Sequence, residues 1–183
     1  MSKVCGLILL LAASAHDHVA NGNAAYHAGR YRGAIAAYRS ALAVSPGAAE
    51  AWFDLGAALY RQGDFAAAER SWERASRSSS DRSLIARCRY NQGNAIYRRA
   101  VELSSTNAEQ ALAVLDQAVN AYTTALNLDS QFNAARYNRD AASEFIRRLR
   151  ARTTPEPDPD EILTIDSTGE TSPRKRPTVE KDW

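Results

Sequence analysis

Few side chains in this 183-residue sequence are of the types that catalyse. The histidines are His16, His18 and His27, all near the N-terminus, and the two cysteines are Cys5 and Cys88. No histidine lies near Cys88 in the chain, so nothing local would lower its thiol pKa; a small apolar residue buried in a helix is the simpler reading. A glycine-rich phosphate loop, a metal-ligand cluster within the folded part and a nucleophile with an evident base are all missing from the sequence. His16 and His18 form one special case. If the chain is cut after Ala15, the amine, two amides and the imidazole of the third residue can bind Cu(II) or Ni(II) in a plane. Capping the start of a helix is the simpler role for such polar residues. No enzymatic activity and no cofactor are expected. The residues that stand out instead are tyrosines and arginines, Tyr26, Tyr60 and Tyr97 with Arg61, Arg87 and Arg98. These combine large contact area with directional hydrogen bonds, which is why they are enriched where proteins dock.

Their positions follow from an internal repeat. Gly22, Gly29, Tyr31, Ala34, Tyr38 and Ala41 recur 34 residues later as Gly56, Gly63, Phe65, Ala68, Trp72 and Ala75. Small aligns with small and aromatic with aromatic, as expected of a two-helix unit that packs against copies of itself. Gly29 and Gly63 fall where a left-handed residue would end the first helix of each pair. Ser45-Pro46 ends the second helix of the first pair, because the residue before proline resists helical geometry. Tyr38 and Trp72 are expected to fill the space between successive hairpins. A third unit starts at YNQGNAIYRRA with Gly93 and ends with Ala118, Tyr122 and Ala125; 25 residues separate Gly93 from Ala118, where 12 separate Gly22 from Ala34. The hairpin is therefore enlarged, with a turn at 104–107 and Thr106 and Glu109 as a capping box for the next helix. A last helix from Gln131 to about Arg150 carries Asp140 where another repeat would need glycine, as suits a terminal cap.

These residues resemble the tetratricopeptide repeat (TPR), whose W-x2-L-G-x2-Y, A-x3-F, P pattern is met by Trp52, Leu55, Gly56, Ala68 and Trp72, with Leu59 and Ser80 departing from it. The resemblance implies an all-α solenoid of about three helical hairpins and a C-terminal capping helix. Repeat boundaries are expected near 16–48, 49–82 and 86–130, with the cap at 131–150. In such a stack the first helix of each hairpin lines a concave groove that holds a segment of another protein. By repeat position the groove should be lined by Asn23, Tyr26 and His27, by Phe53, Tyr60 and Arg61, and by Arg87, Tyr90, Asn94, Tyr97 and Arg98. Aromatic stripes on helices also serve cores, so packing between hairpins is the competing role for the tyrosines. The arginines favour an acidic or extended partner segment. A subset of TPR domains clamps the C-terminal carboxylate of chaperones; Asn23 matches one clamp position, but Val19 and Asp54 stand where that clamp has lysine and asparagine. That assignment is therefore not carried over. YNQGNAIYRRA and ARYNRDAASEFIRRL are also similar to the aerotolerance (Bat-type) TPR proteins associated with MoxR ATPases and von Willebrand A-domain proteins, which implies an envelope accessory role. An assembly factor for secretion, pilus or outer-membrane complexes is the alternative, and an enzyme with an unrecognised site a distant one.

The ends of the chain follow other rules. Lys3, an apolar run to Ala13 and the A-x-A site Ala13-Ser14-Ala15 read as a signal peptide over 1–15, which predicts periplasmic or otherwise exported protein. The run is too short for a span of about 20 residues, so membrane contact is expected only through a partner. Residues 151–183 hold five prolines and few core-forming side chains, and read as a disordered tail. A formal charge of +2 with 24% charged residues is too mild for a nucleic-acid-binding domain.

Overall fold

The computed structural model describes the backbone of residues 2–153, 161–165 and 171–175, and the side-chain surroundings of residues 15–153. The chain divides into two units, 1–150 and 151–183. The first consists of helices in antiparallel pairs: α1 (Ser2–His27) with α2 (Tyr31–Val44), α3 (Ala49–Gln62) with α4 (Phe65–Arg77), and α5 (Arg82–Leu103) with α6 (Ala108–Leu128), closed by α7 (Asn133–Thr153). This is the all-α solenoid expected from the repeat. No helix among the described residues is long and apolar enough to cross a membrane.

The hairpins turn as their glycines dictate. Gly29 and Gly63 adopt φ values of 71° and 91°, which a side chain resists and glycine tolerates. The residue after each glycine donates back to the closing turn, Arg30 N to Ala25 O and Asp64 N to Leu59 O, at 2.9 and 3.0 Å. Side chains cap three helix starts: Asp64 accepts from Ala67 N, Asp81 from Ser83 N and Asn107 from Gln110 N. The last of these corrects the expected Thr106/Glu109 capping box. Asn107, one residue later, takes the cap, while the Thr106 hydroxyl donates to Leu103 O at 3.2 Å. α5 opens at Arg82, where Asp81 caps it.

Within each hairpin the ring of the second helix lies on the glycine of the first. A Cβ built on Gly22 would meet the Tyr38 ring at 2.5 Å; on Gly56, the Trp72 indole at 2.6 Å; on Gly93, the Tyr122 ring at 2.5 Å. Tyr38 and Trp72 thus seal their own hairpins, where the sequence had placed them between successive ones. Alanines at zero exposure, among them Ala34, Ala58, Ala68 and Ala118, let neighbouring backbones approach. One apolar cluster runs through the first two hairpins to Leu84, Cys88 and Ala95; a second joins Ile96, Leu115 and Tyr122 to Ala142, Ile146 and Leu149 of the cap.

The segment read as a removable signal forms, from Ser2 on, the first part of α1, which continues unbroken to His27. The second unit holds two short antiparallel strands, β1 (Glu161–Ile165) and β2 (Thr171–Lys175), with Glu161 opposite Lys175 and Ile165 opposite Thr171. The β-branched residues Ile162, Thr164 and Ile165 supply the strand preference there.

Candidate partner-binding groove

The face built by the first helices of the hairpins carries three recesses that share walls. The first, of about 350 Å³, lies among Asn23, Tyr26, His27, Phe53, Asp54 and Ala57. Tyr26 and Ala57 also border the second, of about 220 Å³, together with Tyr60, Asn91 and Asn94. Tyr60 and Asn94 in turn border the third, of about 250 Å³, with Tyr97, Arg98 and Asn138. The recesses therefore run end to end from α1 to α7.

Each tyrosine of the row has two surroundings. Tyr26 sits edge-on to Tyr31 at 5.5 Å, Tyr60 to Phe65 at 5.2 Å and Tyr97 to Phe145 at 6.0 Å between ring centroids, while all three remain half-exposed beside a recess. Core packing and groove lining, posed as alternatives from sequence, coexist on opposite sides of one ring.

The two asparagines are oriented by the hairpins beneath them. Tyr38 donates its hydroxyl to Asn23 Oδ1 at 2.7 Å, and Tyr122 donates to Asn94 Oδ1 at 2.9 Å. Burial pushes both hydroxyls well above the ordinary tyrosine range, so they remain protonated donors. Asn94 Oδ1 also accepts from Asn138 Nδ2 at 2.8 Å. With the amide oxygen taken, the NH2 groups of Asn23 and Asn94 are left as donors, and no protein group among the described residues accepts from them. In the second hairpin Ala57 replaces the asparagine and Trp72 the tyrosine, and the Trp72 Nε1 donates instead to Phe53 O at 3.0 Å.

Arginines stand beside the groove on aromatic supports. Arg61 lies over Tyr31 at 5.3 Å and Arg98 over Phe65 at 5.2 Å, the same repeat positions one hairpin apart, and Arg87 lies over Phe53 at 4.6 Å. Of these only Arg98 borders a recess; Arg61 and Arg87 stand outside them, their guanidiniums drawn over the rings of the preceding hairpin. Tyr90 also departs from the expected lining. It is packed against Tyr122 at 6.0 Å and Phe132 at 4.8 Å, and its hydroxyl accepts from Asn138, because the cap helix comes down on it. Asn23, Tyr26, His27, Phe53, Tyr60, Asn94, Tyr97 and Arg98 each line one or more of the three recesses.

A further row lines the recesses: Asn91 and Asn138, which the sequence reading did not single out, and Asp54, noted there only for its departure from the clamp. Asp54, Asn91 and Asn138 each follow directly on the aromatic residues Phe53, Tyr90 and Tyr137, and each borders one recess. The recurring YN of YNQG and ARYNRD was the signal. Burial raises the Asp54 carboxyl above the usual range, opposed by the nearby Arg87 guanidinium and reinforced by Glu50. Cys88, fully buried, has its thiol pushed up to about 12 by desolvation, so at neutral pH it is not a nucleophile. His16 and His18 lie within α1, and no group of three or more metal-binding side chains occurs among the described residues.

Comparison with known proteins places these features in a family. Residues 19–83 match the model described as tetratricopeptide repeat. No curated protein matches the chain in sequence. Among solved structures, the first TPR of Spaghetti (RPAP3) bound to an HSP90 peptide is similar at 21% identity and a TM-score of 0.60, covering 74% of this chain and 95% of that one. The Sgt2 TPR domain from Aspergillus fumigatus is similar at 20% identity and a TM-score of 0.59, covering 81% and 87%. The Yersinia enterocolitica type III secretion chaperone SycD, in complex with a peptide of the translocator YopD, shares 12% identity at a TM-score of 0.55 over 76% and 94%. Residues 19–83 thus carry a match to the tetratricopeptide repeat, and the stacked hairpins, each with its ring packed on a glycine, share the fold of the TPR domains to which the chain is similar.

Proposed function

We propose that the chain is a non-catalytic adaptor that holds an extended segment of another protein in this groove, with a backbone carbonyl oxygen of that segment on the amide of Asn23 and a carbonyl or carboxylate oxygen on that of Asn94. One observation carries the reading: both asparagines present NH2 donors whose direction is fixed by a buried tyrosine hydroxyl before any ligand arrives. Donors ordered in advance lose little freedom on binding. Tyr26, Tyr60 and Tyr97 supply flat half-exposed walls between them, and Arg98 adds positive charge near α7. Asp54 and Glu50 give the α3 end the opposite sign, so an acidic stretch of the partner would lie toward Arg98. The HSP90 peptide held by the RPAP3 domain and the YopD peptide held by SycD are examples of segments bound by similar folds. The carboxylate clamp of chaperone-binding domains is not proposed here, because Asp54 would repel a terminal carboxylate in the first recess.

The setting proposed is outside the cytoplasm, after cleavage near Ala15. There the chain would serve as an accessory to an envelope complex of the MoxR and A-domain type, touching the membrane only through its partner. N-terminal sequencing of the protein recovered from its native host would show His16 as the first residue if this is right. The groove is tested by replacing Asn23→Asp and Asn94→Asp together, which keeps an acceptor for each tyrosine hydroxyl but substitutes negative charge for the NH2 donors. Partner capture from an envelope fraction should fall at least tenfold, about 1.4 kcal/mol, with the unfolding midpoint little changed. Undiminished capture would remove the groove from the proposal.

A further inference from the structure

Away from the three recesses, α2, α3 and α4 enclose a cleft of about 540 Å³, larger than any of the three. Its floor is apolar, with Leu42 and Leu59 buried and Trp52 half-buried. Its rim is cationic: Arg39 on α2, Arg70 and Arg74 on α4, all exposed, and no acidic residue lines it.

Several features set this cleft apart from ordinary surface. Arg39 and Arg70 have no acidic partner among the described residues, and the neighbouring acids are engaged elsewhere, Glu73 with Arg77 and Glu69 with Arg99, each at 2.6 Å. Arg70 and Arg74, four apart on one helix, repel each other, a small uncompensated cost within the fold. Arg74 is steadied over the Trp52 ring at 4.9 Å, and that ring is itself fixed by Nε1 donating to Pro46 O at 2.8 Å. The next interval along the stack, between α4 and α5, is bridged by polar contacts: Gln92 donates to Glu69 O at 3.4 Å and Arg99 pairs with Glu69.

We infer that this cleft is a second docking site, for an acidic peptide segment that seats one apolar side chain between α2 and α4 and lays its carboxylates on Arg39, Arg70 and Arg74. Guanidinium groups pair with carboxylates in two-pronged fashion, and an apolar recess ringed by such groups selects an anchor flanked by acids. A lipid surface fits less well. The site is concave, and the exposed large apolar residues of the described chain, Val101 and Tyr137, lie elsewhere, so nothing protrudes here to enter a bilayer.

The test uses the full chain carrying Asn23→Asp and Asn94→Asp, so that the groove cannot capture the probe and this result is independent of the groove's. The probe is a fluorescein-labelled peptide in which aspartates flank a single leucine, followed by anisotropy at low salt. Binding is expected, with at least a tenfold loss on adding Arg39→Glu and Arg70→Glu, both exposed positions, and a similar loss when the peptide's aspartates become asparagines. Three outcomes would overturn the inference: no binding of the acidic peptide, equal binding by the arginine variants, or arginine-dependent binding to phosphatidylglycerol vesicles without binding of the peptide.

Discussion

Replacing Gly56 by alanine should destabilise the protein, although glycine in a helix interior is ordinarily improved by that change. Gly56 lies within α3, where alanine alone would gain about 1 kcal/mol of helix propensity. Its new Cβ, however, would stand 2.6 Å from Trp72 Nε1 and 2.8 Å from Cδ1 and Cε2, well inside the 3.4 Å at which ordinary contact begins. The indole has no room to retreat, being 2% exposed and tied to Phe53 O at 3.0 Å. Overpacking of this kind costs about 1–3 kcal/mol, and a strained or broken Trp72 hydrogen bond about 1 more. The net loss is about 2 kcal/mol, or roughly 6–8 °C in Tm for a body of this size. Gly33→Ala is the internal control. Gly33 is also helical, but its added Cβ would meet only Ala25 Cβ, at 3.7 Å, so a small gain in stability is expected there. Urea and thermal unfolding followed by circular dichroism would read both variants. If Gly56→Ala is as stable as Gly33→Ala, the glycine-on-ring account of the hairpins is wrong.

Two further outcomes follow from the groove. Burial raises the Asp54 carboxyl, so its ionised form costs stability above its folded pKa, and that cost vanishes as pH falls below the ordinary carboxylate range. Asp54→Asn should therefore raise the unfolding midpoint at pH 7 and match the parent at low pH; a pH-independent difference would contradict the cause given. Tyr122→Phe and Asn94→Ala should each cost about 1 kcal/mol, and their combination less than the sum, because they share one hydrogen bond of 2.9 Å; strict additivity would refute the coupling.

What could be read from the sequence were the features repeated within it. The period of 34 aligned Gly22 with Gly56 and Tyr38 with Trp72, which fixed the hairpins, and the lengthened interval from Gly93 to Ala118 located the enlarged one. Side chains whose neighbours come from the next hairpin were harder. Arg61 and Arg98 lie over Tyr31 and Phe65 of the preceding unit, a contact no spacing within one repeat reveals. Tyr90 was misplaced because the cap helix has no earlier copy to learn from, and Phe132 and Asn138 decide where it lands. The row of Asp54, Asn91 and Asn138 was visible as a recurring polar residue after an aromatic one, but only a structure shows that this position faces the recesses. The strand pair in the tail rests on a few residues, Ile162, Thr164 and Ile165 among them, over which a composition of five prolines averages.

The pairing of asparagine with tyrosine in the first and third hairpins, and of alanine with tryptophan in the second, constrains how such a sequence can drift. Asparagine at residue 57 above an unchanged indole would confront two donors, with its oxygen unserved unless the indole abandoned Phe53 O. Tryptophan at residue 38 or 122 would bring a larger ring against Asn23 or Asn94. Each combination is sound and the mixtures are not, so conversion from one to the other requires both positions to change nearly together. Duplication of a whole hairpin, which copies the matched pair intact, is the easier path by which a stack of this kind lengthens.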